Sequence, residues 1–341
     1  MPMITLPNVN ERKHIHIINP CAGDGRLYEG VKKAASQTGE EVRLTEGPGD
    51  VEKICRDEIA GDPFVHLVVY GGDGTVHEAV NGIMTSGRAL TASFSVIPAG
   101  SGNDFSAYAN GAAGFTPPDL QHLDVIKTVS REDGGAGTVR YYANSLNLGF
   151  DGQVVMEADR YKHQKGLRGK TAYIAGVASV LLKKRPVKVR ITLEGVTDMA
   201  SGGKEVRQEG QWGTLYQRWN GDTVEIEGEI LLTACANGPF CGGGFKGAPL
   251  CSMTDGKMDV LVVQNITRRR FISMVGAYHD GTYVNGNGVI RPEFRNVLEY
   301  FQCRKMHLQT EEAYCLDGEI CGKATDLTVE VMPEAVWFSA L

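Results

Sequence analysis

Short apolar runs alternate with stretches of helical period in the first third of the chain. His14–Asn19, Val42–Thr45, Val65–Tyr70 and Phe94–Pro98 have the length and character of buried strands. Between them, Tyr28–Thr38 and Asp50–Ile59 read as helices, with Asp50 placed to cap the second. After Val65–Tyr70 the period changes. Val76, Ala79, Val80, Ile83 and Met84 fall on one face of a helix. This alternation predicts a parallel sheet with helices on both faces. Near residue 122 the pattern shifts to strands: Leu123–Thr128, Val139–Gly149, Val187–Leu193, Thr223–Ala236 and Met258–Gln264. One helical run, Gly169–Lys184, interrupts them, so the second half predicts an antiparallel β-domain with one embedded helix. The polar stretch Gly195–Gly221 reads as a long loop between strands.

Composition narrows the classes. A length of 341 residues suits two domains. A net charge of −6 argues against nucleic acid as the main partner. Eight cysteines without C-x-x-C spacing or a signal peptide read as reduced thiols in a cytoplasmic protein and offer no zinc site. No apolar stretch approaches the ~20 residues that span a bilayer. Any lipid partner would therefore be met at a membrane surface, by transient peripheral contact. The basic clusters Lys183–Arg185 and Arg268–Arg270 suit helix-dipole complementarity or lipid head groups, the former being favoured.

Candidate chemistry sits where strands end. Val65–Tyr70 runs into Gly71-Gly72-Asp73-Gly74-Thr75 at the start of a helix. Glycines there let backbone N–H groups approach an anion, and the helix N-terminus favours negative charge. Thr75 can cap the helix or touch a phosphate. Asp73 would repel phosphate unless a cation lay between them, which points to magnesium. Asn19–Gly23 and Gly100–Asp104 end two other strands, and three such loops on one sheet edge favour a nucleotide site. Later, Gly242-Gly243-Gly244 suggests a bulge or close backbone approach, and Asp255-Gly256 a hairpin turn. Asp317 and Glu319 would share one face if extended and could divide into a base and a cation partner; a solvated turn is the favoured alternative.

Taken in order, these blocks resemble the bacterial diacylglycerol kinase catalytic family of soluble lipid kinases. The resemblance rests on Asn19-Pro20-x-x-Gly23, Thr45 ahead of Gly49-Asp50, Gly71–Thr75 with Glu78, Asn81 and Gly82, and Pro98-x-Gly100-x-Gly102-Asn103-Asp104-Phe105. It continues through Leu123-Asp124, Asn144–Gly149, Gly169-x-x-Ala172-Tyr173, Asn237–Val260 and Leu316–Glu319. NAD kinases, the soluble-substrate alternative, share the first glycine loop but neither the Asn-Asp-Phe block nor the Asp-Gly-Glu ending. A regulator that has lost catalysis is a further alternative, disfavoured because the acids are present.

The resemblance implies an NAD-kinase-like α/β domain over 1–122 and a β-sandwich over 123–320 that takes the lipid. It implies that 321–341 returns to the first domain. It implies ATP-dependent phosphorylation of a lipid hydroxyl, diacylglycerol first, in a cleft between the domains. Nucleotide contacts would come from Asn19, Pro20, Cys21, Ala22, Gly23, Thr45, Gly72, Asp73, Gly74, Thr75, Val76, His77, Glu78 and Ser101. The active-site acids map onto Asp73, Asp104, Asp124, Asp317 and Glu319, with Glu319 the favoured base. A structural magnesium would use Asp255 with the carbonyls of Ser252 and Lys257. Ala22 stands where Ser or Thr is common, and Ser101 where Thr is common. The identity of the lipid and the presence of a homodimer stay open.

Overall fold

The structure, a computed structural model, describes residues 7–20, 26–100, 102–109, 120–131, 137–165, 169–183, 185–199, 206–210, 213–323 and 325–340. The chain divides into two compact units, residues 1–125 with 332–341, and residues 126–331.

The first unit begins β1 (His14–Ile18), α1 (Arg26–Thr38), β2 (Glu41–Leu44), α2 (Asp50–Gly61), β3 (His66–Gly71), α3 (Asp73–Thr85), β4 (Ser93–Pro98) and α4 (Asp104–Ala107). The strands pair in parallel in the order β2-β1-β3-β4. Every residue of β3 is buried, which explains its unbroken apolar run. The expected apolar face of α3 is buried at Val76, Ala79, Val80 and Ile83. Gly82 lets α3 lie against α2. A Cβ there would come within 2.4 Å of the Glu52 carbonyl oxygen and 2.8 Å of Cys55 Cβ.

The remaining strands are β5 (Leu120–Arg131), β6 (Thr138–Tyr142), β7 (Ser145–Gly149), β8 (Val187–Glu194), β9 (Asp198–Met199), β10 (Val206–Gly210), β11 (Gly213–Asn220), β12 (Thr223–Ala236), β13 (Met258–Gln264), β14 (Leu298–Cys303), β15 (Lys305–Gln309), β16 (Ala313–Leu316), β17 (Glu319–Lys323) and β18 (Asp326–Ser339). Pairing within the second unit is antiparallel, as the strand pattern predicts. Residues 224–230 of β12 pair with β8 and residues 232–236 with β7, and the pairing of β12 with β13 shifts register between Ile230 and Leu232. One long strand thus serves two layers. The core is drawn from both, including Leu146, Leu148, Ile191, Ile226, Val260, Leu308 and Val329. The Trp337–Phe338 end of β18 pairs in parallel with β4 in the first unit. Phe338 completes a cluster there, 5.2 Å from Phe94 and 5.6 Å from Phe105 between ring centroids.

Three expectations are corrected. Among the described residues the β-rich unit holds three α-helices rather than one: α5 (Phe150–Lys165), α6 (Gly169–Lys183) and α7 (Arg268–His279). Phe150, Val154, Val180, Phe271 and Met274 from these helices bury against strand residues such as Leu231 and Leu261. The long loop expected over 195–221 contains β9, β10 and β11. β11 pairs with β12 from Leu215 to Asn220, so cross-strand hydrogen bonding outweighs its polar composition. The single run Val139–Gly149 is two strands, because the backbone at Ala143 and Asn144 is held by Asp317.

His66 is expected to make the first unit acid-sensitive. It is 2% exposed and sits between Ser93 Oγ (2.8 Å from Nδ1) and Ser95 Oγ (3.0 Å from Nε2). Burial pushes its pKa down to about 3. Between about 6.5 and 3 the unfolded chain binds a proton that the folded state refuses, so stability falls as pH drops through that window. The contribution is about 2 kcal/mol between pH 6.5 and 5. Denaturant titrations of the wild type and His66→Gln at pH 7 and 5 are expected to show the smaller acid loss in the variant. Parallel losses in the two would remove His66 as the cause.

Candidate active site

Strand order sets the first part of the site. β1 lies between β2 and β3, so the direction of winding reverses at β1 and β3. In open parallel sheets ligands collect outside the carboxyl ends of strands at such a switch. Asn19 and Pro20 follow β1, and Gly72 and Asp73 follow β3. Cys21, Ala22, Gly23 and Ser101 lie outside the described residues.

The loops after β3 and β4 meet backbone to backbone. A Cβ on Gly100 would fall 2.5 Å from Gly72 Cα, and one on Gly72 would fall 2.9 Å from Gly100 Cα. The Ala99 N–H donates to the Gly71 carbonyl at 3.0 Å. Asn103, left-handed at φ 61°, receives the Gly100 N–H on Oδ1 and donates from Nδ2 to the Gly100 carbonyl, both at 2.9 Å. Asp73 Oδ1 accepts the Phe105 N–H at 3.0 Å, so the carboxylate at the start of α3 also holds the start of α4. Asp104 is buried, and Phe105 anchors the turn in the aromatic cluster. α3 starts at Asp73 after Gly72, so Thr75 is not its cap. Its side chain occupies the space where a Gly71 Cβ would be. Val76 and His77 are buried; Gly72, Asp73, Gly74 and Thr75 are half-buried.

Glu78 has a structural task. Its two oxygens accept the Gly49 N–H at 2.8 Å and the Val51 N–H at 3.1 Å, satisfying the N-terminus of α2. That is the capping role expected of Asp50. Asp50 Oδ2 instead accepts the Glu46 and Gly47 N–H groups at 2.6 and 2.9 Å. Thr45 is buried, with its N–H bonded to the Ile18 carbonyl at 3.2 Å, which ties the end of β2 to the end of β1. Asp124, 2% exposed, accepts the N–H of the left-handed Glu334 at 2.8 Å.

In the second unit, Asp317 and Glu319 do not share an extended face. Leu316 pairs with Glu319, and Asp317 and Gly318 form the two-residue hairpin loop with φ 49° and 84°. The loop is not solvated at Asp317, which is 7% exposed. Its Oδ1 accepts the N–H groups of Asn144 (2.8 Å) and Ser145 (3.0 Å), and its Oδ2 that of Ala143 (3.1 Å). Asn237 extends the arrangement, its Nδ2 donating to the Ala143 carbonyl at 2.7 Å. Glu319 is exposed. The Asp255 turn closes through the Lys257 N–H on Asp255 Oδ1 at 3.0 Å, and burial raises the Asp255 pKa. The three glycines Gly242–Gly244 all have positive φ and are closed by a bridge between Cys241 and Phe245.

With these loops placed, comparison with known proteins is decisive. Residues 13–131 match the diacylglycerol kinase catalytic domain, and residues 144–339 the YegS C-terminal NAD kinase beta sandwich-like domain. The chain belongs to the diacylglycerol kinase catalytic family. A relative from Staphylococcus aureus (strain MSSA476), named "putative lipid kinase", is 25% identical over 302 residues, covering 86% of this chain and 84% of its own. Another, from strain bovine RF122 / ET3-1, is 25% identical over 309 residues with the same coverage. A crystal structure of a "putative diacylglycerol kinase" from Bacillus anthracis str. Sterne superposes with a TM-score of 0.64 at 22% identity, over 97% of each chain, a likeness of fold. Membership in this kinase family implies nucleotide use. No helix among the described residues is long and apolar enough to cross a membrane.

In this diacylglycerol kinase family member, two residue groups that the sequence reading named only as parts of motifs have structural roles that it did not assign. Asn103 is the residue that pins Gly100; its signal was an asparagine after Gly-x-Gly, a residue that tolerates left-handed backbone. The backbone of Ala143–Ser145 is the partner of Asp317, and no side chain announces it.

Proposed function

We propose that the protein transfers the γ-phosphate of ATP to the hydroxyl of a lipid of the diacylglycerol type. The observation that carries the reading is the pair of glycine loops after β3 and β4, packed together next to the switch point of the parallel sheet and beside the N-terminus of α3. Such an edge offers backbone N–H groups and a positive helix end to phosphates. Phosphoryl transfer asks for positioned phosphates, compensated charge and a base for the attacking hydroxyl. Glu319 is the base in this reading, because its carboxylate is exposed while that of Asp317 is committed to three backbone N–H groups. The hydroxyl oxygen forms its bond to the γ-phosphorus as the bridging β–γ bond breaks. The proton passes to Glu319, and ADP carries away the electron pair.

Magnesium suits the residues present. Among the described residues no three His, Cys, Asp or Glu side chains are grouped to hold a metal ion. A site at Asp255 would therefore lean on the carbonyls of Ser252 and Lys257, hard oxygen donors of the kind magnesium takes. The buried Asp259 carboxyl, its pKa raised by burial to about 7, is held by the Tyr300 hydroxyl and the Gln302 amide and is not counted among the donors. Asp73 is the candidate to face metal-bound nucleotide. A divalent ion would offset phosphate charge during transfer.

The test is transfer of labelled γ-phosphate from ATP to a panel of diacylglycerol, sphingoid base, ceramide and phosphatidylglycerol in mixed micelles, with and without magnesium. Labelled product from diacylglycerol, dependent on magnesium, is expected. ATP binding without labelled lipid from any class would overturn the reading and favour a soluble acceptor or a regulator.

A further inference from the structure

We propose that the end of α6 and the start of α7 form a surface that docks on an anionic lipid bilayer. Two basic clusters far apart in sequence meet there. Arg268 donates from Nε to the Leu181 carbonyl at 2.9 Å and from an Nη to the Leu182 carbonyl at 2.7 Å. This pins the first turn of α7, which carries Arg268, Arg269 and Arg270, to the last turn of α6, which carries Lys183 and is followed by the exposed Arg185.

Apolar side chains stand among these cations. Leu182 is 77% exposed, the most of any large apolar residue in the described chain, and Ile272 is 56% exposed. Ile272 lies one turn beyond Arg268 on the same face of α7. Folding explains neither, since both are left in water. The helix itself does not explain the arginines. Three cations occupy the N-terminal turn of α7, where the macrodipole is positive, and no acidic residue joins them. Arg268 is compensated by the carbonyl end of α6, and Arg270 by the Glu293 carbonyl. Arg269 has no such partner among the described residues. The neighbouring acids are committed, Glu157 to Lys183 (3.1 Å) and Arg160 (2.6 Å), and Glu293 to Arg291. The patch is thus positive on a chain of net charge −6.

Cations with aliphatic stems around protruding Leu and Ile side chains match the bilayer interface, where charge meets phosphate and apolar tips enter the acyl boundary. A nucleic acid would use the charge and leave Leu182 and Ile272 without a role. The inference extends the lipid-kinase reading to how the protein reaches its substrate phase, but vesicle binding reads it without any catalysis.

The experiment is co-sedimentation with phosphatidylcholine vesicles with and without phosphatidylglycerol, at low and high salt. The protein is expected to bind only the phosphatidylglycerol vesicles and to release as salt rises. Arg269→Ala is expected to weaken binding about fivefold. Leu182→Ser combined with Ile272→Ser is expected to weaken it at every salt concentration. All variants should retain wild-type melting and wild-type transfer to a short-chain, water-soluble diacylglycerol. Indifference of the wild type to phosphatidylglycerol, or variants that bind vesicles like the wild type, would overturn the proposal. If no protein transfers phosphate yet vesicle binding follows this pattern, the kinase reading falls and the docking surface stands.

Discussion

Glu319→Gln is expected to lower lipid phosphorylation by about 10²–10⁴-fold, the range supplied by a carboxylate base. ATP affinity and melting temperature should stay at wild-type values, because the side chain is exposed. Asp317→Asn is expected to fail differently. An amide can replace only one of the two acceptor oxygens that hold the Ala143, Asn144 and Ser145 N–H groups, and its own N–H₂ would face a donor. Losing charge-assisted bonds to buried donors costs about 2–3 kcal/mol. The asparagine backbone itself tolerates the left-handed turn at φ 49°. Asp317→Asn should therefore lose both turnover and stability, which marks a positioning residue. Turnover by rapid quench and denaturation midpoints separate the two cases. Full turnover in Glu319→Gln would remove it as the base, and an unchanged midpoint in Asp317→Asn would remove the clasp.

The second large effect is at the glycine contact. Gly100→Ala places a methyl group 2.5 Å from Gly72 Cα, and Gly72→Ala one 2.9 Å from Gly100 Cα. The obstructing atoms are backbone and cannot rotate aside, so the loops must separate. Overpacking of this kind costs about 1–3 kcal/mol. The functional loss should exceed the loss of stability, since a misplacement of about 1 Å can cost 10²-fold in rate. Gly100→Ala is expected to be the worse variant. Calorimetric titration with ATP, read beside thermal melting, checks both. Wild-type ATP affinity in Gly100→Ala would mean that the contact does not shape the nucleotide site.

The parallel strands and α3 were legible in the sequence because their burial pattern is local: β3 is buried on both faces, and one stripe of α3 faces the core. The glycine loops were legible because only a residue without Cβ fits where Gly72 meets Gly100. Asp317 was misplaced because a tetrapeptide cannot show that its acceptors serve a backbone 172 to 174 positions earlier. α5 escaped because its apolar residues follow the β7 run directly, so one period hid the other. β11 escaped because its partner β12, not its own composition, makes it a strand.

The return of β18 to the parallel sheet has a consequence for how the protein is made. The first unit needs Phe338 for its aromatic cluster and the Ser339 carbonyl for the Ser95 hydroxyl, bonded at 2.8 Å. Those residues leave the ribosome only after all of residues 126–331, which form one continuous unit. The unit translated first is therefore the one finished last. While the β-rich unit emerges and closes on its own contacts, the nascent parallel sheet waits with one side of β4 unpaired, so a chaperone that shields that strand would act on the N-terminal segment throughout synthesis.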